Sequence, residues 1–192
     1  MGQHIEIERR FFVTDRAVMP WRDAGDSSHI VQHYIDSTSL TLSENELIYQ
    51  GNIKLCSVGE KEATLFRSNP SWSARIRFRD DQTTLTLKGK RTGASAVELE
   101  WGISRELGLQ AVANEDCPSV EKRRYLWRGQ DGMLWEVDEF LGGLTGLILA
   151  EVELSSEDES IEIPLWAALE LTGNHAWANS SLAYKQSQIM QQ

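Results

Sequence analysis

The chain has 192 residues, 41% of them hydrophobic and 25% charged, the make-up of a single globular domain with a substantial core. Its formal net charge of −10 argues against a protein that coats nucleic acid by surface charge, and it has no apolar run of the roughly 18 residues that a membrane span requires. No basic segment leads into an apolar core at the N-terminus, and Cys56 and Cys117 have neither metal-ligand nor disulfide spacing, so a reduced, cytoplasmic setting is expected.

Period-two alternation predicts a strand over 4–13, where Glu6, Glu8 and Arg10 share one face and Ile5, Ile7, Arg9 and Phe11 the other. A second strand is expected at 29–36. Residues 37–72 are ambiguous among a hairpin, a helix and a long loop. Strands follow at 73–80 and 83–89, separated by Asp80-Asp81-Gln82, and another at 96–103 after the turn signal Gly89-Lys90-Arg91-Thr92-Gly93. A helix is predicted over 105–117, then strands at 123–128 and 133–140 joined by the hairpin signal Gln130-Asp131-Gly132. A last strand is predicted at 147–155, and a helix over 164–172 opened by Pro164. Eight strands with few helices predict one mainly β domain over 1–192, an antiparallel barrel or sandwich.

The charges on these strands are sorted by sign. Arg75, Arg77 and Arg79 alternate with Ile76 and Phe78; Lys88 and Lys90 follow Thr84 and Thr86; Lys122 and Arg124 precede Tyr125. Glu98 and Glu100, Glu136 and Asp138, and Glu151 and Glu153 alternate with apolar neighbours in the same way. A solvated outer face would also alternate, but it would mix Ser, Thr, Gln and both signs. Like charges two apart on one face repel unless something neutralises them. A closed barrel with a charged lumen resolves this, because the apolar faces then pack outward against helices and loops. Carboxylates bind Mg²⁺ or Mn²⁺, and Arg and Lys clamp phosphate oxygens, so the inferred ligand is a metal–polyphosphate.

Glu6-Ile7-Glu8-Arg9-Arg10 resembles the ExExK signature of the CYTH superfamily, the triphosphate tunnel metalloenzymes. Arg75-Ile76-Arg77, Leu87-Lys88, Glu98-Leu99-Glu100, Glu121-Lys122-Arg123-Arg124-Tyr125, Glu136-Val137-Asp138 and Glu151-Val152-Glu153 follow in the family's order. Gln32-His33-Tyr34 and Asn179-Ser180-Ser181-Leu182-Ala183 resemble segments of its small bacterial members. The resemblance implies a closed eight-stranded antiparallel barrel, a few flanking helices, and metal-dependent hydrolysis of a triphosphate. Inorganic tripolyphosphate is the expected substrate, because no appended domain to select a nucleoside or RNA is visible. It implies metal ligation by Glu6, Glu8, Glu136, Glu151 and Glu153, and phosphate binding by Arg75, Arg77, Lys88, Lys122 and Arg124. Glu6, Glu8, Arg10 and Lys88 are the expected catalytic set, and Glu98, Glu100, Asp138, Lys90 and Lys185 form a second tier. Arg10 stands where the signature has Lys; it keeps the charge but is a poor proton donor.

Other readings stay open. Adenylate cyclase would need a base pocket, of which no signature is visible, and thiamine triphosphatase an aromatic surface, although Trp72, Trp101, Trp127 and Trp135 read first as core. A non-catalytic polyphosphate or nucleotide sensor would keep the cations and lose the carboxylates, which here are complete. A structural scaffold would carry every charge outside. A small-molecule partner is expected rather than nucleic acid or membrane, and a homodimer stays open. His4, His29, His33 and His175 read as structural or surface residues, Gly142–Gly146 lacks the Lys-Ser/Thr ending of a P-loop, and Glu157-Asp158-Glu159 reads as a solvated loop.

Overall fold

A computed structural model describes residues 5–90, 94–113, 116–167 and 169–190 of the protein; His4 and the far side of the expected 89–93 turn lie outside them. The predicted strands form as β1 (Ile5–Phe12), β2 (Ser27–Ile35), β6 (Ser73–Arg79), β7 (Gln82–Lys88), β8 (Ser95–Gly102), β9 (Ser119–Arg128), β10 (Leu134–Phe140) and β11 (Ile148–Glu153). They run in the order β11-β10-β9-β2-β6-β7-β8-β1, and a further β1–β11 pairing closes the eight-stranded antiparallel barrel. Two tight turns shape it. Asp80 adopts φ 49° between β6 and β7, and Gly132 adopts φ 83° between β9 and β10, a left-handed conformation that glycine takes without strain.

The ambiguous stretch contains a second, three-stranded sheet of β3 (Leu40–Ser43), β4 (Glu46–Tyr49) and β5 (Ile53–Ser57), followed by helix α1 (Glu60–Ser68). That sheet brings Leu47, Tyr49 and Leu55 onto the outer faces of β6, β7 and β8, where they bury Ile76, Leu85, Leu87 and Leu99. Helix α2 (Arg105–Val112) joins the same cluster through Ala111. Its N-terminus is capped by Ser104, whose hydroxyl accepts from the Leu107 amide, and it ends at Ala113, short of the predicted 117. A Cβ on Gly108 would lie 2.7 Å from Thr83 Cγ2, so glycine there sets how closely α2 approaches β7.

A second outer cluster covers β1, β10 and β11. Phe11, Trp135, Val137, Ala150 and Val152 lie beneath Val13, Trp21, Leu154 and Trp166 from the flanking segments. Trp21, Trp127 and Trp135 all meet the Trp166 ring, at 4.9, 5.3 and 5.8 Å between centroids. Burying each large side chain here contributes about 2–3 kcal/mol.

The expected helix over 164–172 does not form. Leu169–Glu170 is instead a short strand, β12, paired with β1 at Phe11 and Phe12. Proline's helix-starting preference is outweighed by tertiary bonding: the Leu171 amide donates to the Arg10 carbonyl at 2.7 Å, and Arg9 grips the Glu170 carboxylate with two hydrogen bonds. A terminal helix that the sequence pattern did not announce, α3 (Asn179–Met190), packs Leu182 and Ala183 on Tyr34, Val120, Phe140 and Leu149. Tyr34 pairs with Arg75 and Leu149 with Asp138, so these apolar side chains share the charged residues' face and line one end of the barrel, which α3 stoppers.

Candidate active site

The strand order gives the sorted charges a geometry. The carboxylate strands β10, β11, β1 and β8 are consecutive around the barrel, and so are β9, β2, β6 and β7, which carry Arg124, Arg75, Arg77 and Lys88. An acidic half-wall therefore faces a basic half-wall across the lumen. Glu6, Glu8, Glu98, Glu100, Glu136, Glu151 and Glu153 all line one cavity of about 790 Å³, together with Arg10, Arg75, Arg77, Lys88 and Arg124. Asp138 and Lys122 do not reach it. They are buried deeper on the same inward face, toward the end that α3 closes, where Lys122 donates to Asp138 and lies 5.6 Å from the centre of the Phe140 ring.

With Arg9 turning outward to Glu170, Arg10 is the one cation among the described residues of the acidic strands that lines the lumen. It donates to Glu151 at 2.6 Å, to Glu8 at 2.9 Å and to the Trp177 carbonyl at 3.3 Å. Lys88 contacts Glu6 at 2.6 Å and Glu98 at 2.8 Å. Burial and Arg75 oppose its charge, but Glu8, Glu6 and Glu98 prevail and raise its pKa. Arg124 holds both Asp138 oxygens at 2.7 Å, reaches Glu151 at 3.3 Å and also pairs with Glu136. Burial would raise Glu151, yet Arg10 and Arg124 keep it well below the ordinary carboxylate range.

Arg75 and Arg77 differ from these. Their partner carboxylates, Glu98 and Glu100, stand off at 3.9 and 3.8 Å, and the buried Nε of each guanidinium has no hydrogen-bond partner. Burial, with Arg75 and Arg124 nearby, lowers Arg77 to about 10. Two underused guanidiniums facing a lumen of this size call for an anion.

On the opposite wall the register sets Glu8 directly against Glu153, and Glu136 against Glu151. Burial raises Glu8 and Glu153 above the ordinary range, and neighbouring carboxylates add to it: Glu151 and Glu6 on Glu8, and Glu6, Glu136 and Glu98 on Glu153. Among the described residues no three acidic, His or Cys side chains converge as a ready-made cage. The donor set is nevertheless all oxygen and mutually repelling, which fits a hard divalent cation.

A smaller cavity of about 410 Å³ adjoins the first and shares Glu8, Arg10, Arg75, Lys88 and Asn179 with it. Lys90, Trp72, Tyr34 and His175 line this side chamber. Trp72 also stacks on Phe66, so it serves both core and cavity. Tyr34 accepts a hydrogen bond from Gln32 at 2.8 Å. Lys185 bounds neither cavity and instead donates to the Ala176 carbonyl at 3.4 Å. Sequence reasoning gave no site role to Asn179, nor to Glu60, Lys61 and Glu62 at the tunnel mouth; no local period marks any of them.

A closed antiparallel barrel whose interior is split into an acidic and a basic wall defines a charge-lined tunnel protein. Residues 66–182 match the CYTH domain, and the chain belongs to that family. It is 40% identical over 116 residues to an inorganic triphosphatase of Acetivibrio thermocellus, covering 57% of this chain and 70% of that protein. With an inorganic triphosphatase of Nitrosomonas europaea it shares 34% identity over 122 residues, 62% of this chain and 80% of the relative. The crystal structure of an inorganic triphosphatase superposes with a TM-score of 0.55 at 26% identity, covering 93% of this chain and 97% of that one.

Proposed function

We propose that this chain hydrolyses a triphosphate inside the barrel, with inorganic tripolyphosphate as substrate and pyrophosphate and orthophosphate as products. The observation that carries this reading is the pair Arg75 and Arg77, buried with unpartnered Nε–H groups opposite a wall of carboxylates. The relatives named inorganic triphosphatases support the same choice.

Glu6, Glu8, Glu136, Glu151 and Glu153 would hold Mg²⁺ or Mn²⁺, which when bound offsets phosphate charge and makes the phosphorus more electrophilic. Arg75, Arg77, Lys88 and Arg124 bind the phosphate oxygens and stabilise the charge that gathers on them in the transition state. Lys122, beyond the open cavity, fixes Asp138 and through it the position of Arg124. Arg10 orients Glu8 and Glu151 rather than transferring a proton. In this reading Glu100, which accepts from Thr86 at 2.9 Å, orients the attacking water. Water adds to the terminal phosphorus, its proton passes to a wall carboxylate, and the bridging P–O bond breaks with its electron pair leaving on pyrophosphate.

Phosphate release from tripolyphosphate, ATP, thiamine triphosphate and pyrophosphate, with Mg²⁺ or Mn²⁺, tests the proposal on wild type beside Glu8→Gln. Metal-dependent turnover of tripolyphosphate that is lost in the variant is expected. Absence of phosphate release from tripolyphosphate would sink this reading, and preference for thiamine triphosphate or ATP would move the substrate to an organic triphosphate.

A further inference from the structure

Helix α3 begins where the two cavities meet, and it begins without a side-chain cap. Ala178 holds the N-cap position: its backbone is extended at φ −66° and ψ 143°, and its carbonyl accepts from the Leu182 amide at 3.0 Å. A methyl group offers no acceptor, so the first-turn amides meet no capping oxygen, an arrangement that ordinarily weakens a helix. Directly beside them Asn179 is 9% exposed, lines both cavities, and has a buried Oδ1 with no partner. Two unsatisfied features thus coincide at one point of the lumen. Around that point the side chamber sets Arg10, Arg75, Lys88 and Lys90 against a single carboxylate, Glu8, which Arg10 already engages.

An anion would accept from the free amides, and a half-turn of the Asn179 carboxamide would bring Nδ2–H toward the same anion in place of the unpartnered Oδ1. Phosphoryl oxygens accept from free amides at a helix N-terminus, where the helix dipole favours negative charge. The Asn179 amide can turn Nδ2 toward an unprotonated phosphate oxygen, or Oδ1 toward a protonated one. We propose that the first turn of α3, with Asn179, is a phosphoryl subsite for one end of the triphosphate, the substrate acting as the cap that Ala178 cannot supply. This rests on the triphosphate reading above and deepens it. Because α3 also stoppers the barrel, occupancy of the subsite tightens the stopper.

The test is tripolyphosphate binding without metal to wild type, Ala178→Asp and Ala178→Ser, with amide hydrogen exchange read at Ser180 and Ser181. A built-in cap should raise the melting temperature of each ligand-free variant by about 2–4 °C. The same cap should weaken tripolyphosphate binding, by about tenfold for Asp, which adds negative charge, and by about threefold for neutral Ser. In wild type, tripolyphosphate should slow exchange at the two amides. If wild type binds and turns over tripolyphosphate while both variants bind it equally well and exchange is unchanged, the subsite is overturned and the triphosphatase reading stands. If wild type neither binds nor hydrolyses tripolyphosphate, both fall together.

Discussion

Arg77 and Arg124 share the basic wall, yet the two side chains should respond to removal with opposite signs. Burial and the cations Arg75 and Arg124 depress Arg77 to about 10, and its nearest carboxylate stands 3.8 Å away. Arg77→Met removes a crowded charge, so the ligand-free protein should melt a few degrees higher while tripolyphosphate hydrolysis falls about a hundredfold or more. A lower melting temperature would show that Arg77 serves the fold rather than the ligand. Arg124 is satisfied by Asp138, Glu136 and Glu151. Arg124→Met strands those buried carboxylates and should cost about 3–5 kcal/mol in denaturant unfolding; a loss under about 1 kcal/mol would mean that the network contributes little to stability.

Among the elements, the short turn at Pro20–Asp23 is fastened to the barrel by one carboxylate. Glu139 accepts from Trp21 Nε1 and from Arg22, each at 2.8 Å. Burial would raise Glu139, but these donors keep it below its ordinary value of 4.5. The sign follows from linkage: the unfolded chain takes up the proton first, so the stabilisation is complete above the ordinary value and fades as pH falls through the lower folded one. Glu139→Gln should therefore flatten the acid limb of the stability curve below about pH 5, as read by urea midpoints between pH 3 and 7. A limb as steep as the wild type's would exclude this contact as its source.

The element scale also shows what was legible in the sequence. A half-buried strand writes its period of two directly into the residues, and β1, β6, β8, β10 and β11 were readable for that reason. The same period named the tunnel carboxylates. Helix α3 was not readable, because its buried Leu182 and Ala183 are adjacent and fit a barrel end that exists only after closure. Pro164 misled because pairing with β1 holds Leu169–Glu170 extended. Asp138 follows Glu136 at strand spacing and shares its inward face, but only the packing sets it beyond the open cavity, paired with Lys122.

At the scale of the whole molecule, the division into acidic and basic halves depends on strand order, which no single stretch of sequence contains. Each half repels itself and attracts an opposite charge, so a divalent cation and a triphosphate should stabilise the barrel cooperatively. Mg²⁺ or Mn²⁺ with tripolyphosphate, scanned on a Glu100→Gln variant that slows turnover while keeping all the metal carboxylates, should raise the melting temperature by more than the sum of the separate shifts. Strictly additive shifts would indicate two sites that do not sense each other.

The seam of the barrel has a temporal consequence. β1 lies at the start of the chain, yet Glu8 pairs with Glu153, and Ile5 with Val97. During synthesis the first strand therefore waits for the last barrel strand to leave the ribosome before both its edges are covered. Until then β1 keeps one edge of unpaired backbone that can recruit another nascent chain. Slow closure is expected from pairings so distant in sequence. Tunnel closure is consequently late: Glu6 and Glu8 are translated before the other tunnel carboxylates and reach their working positions only once β11 has followed.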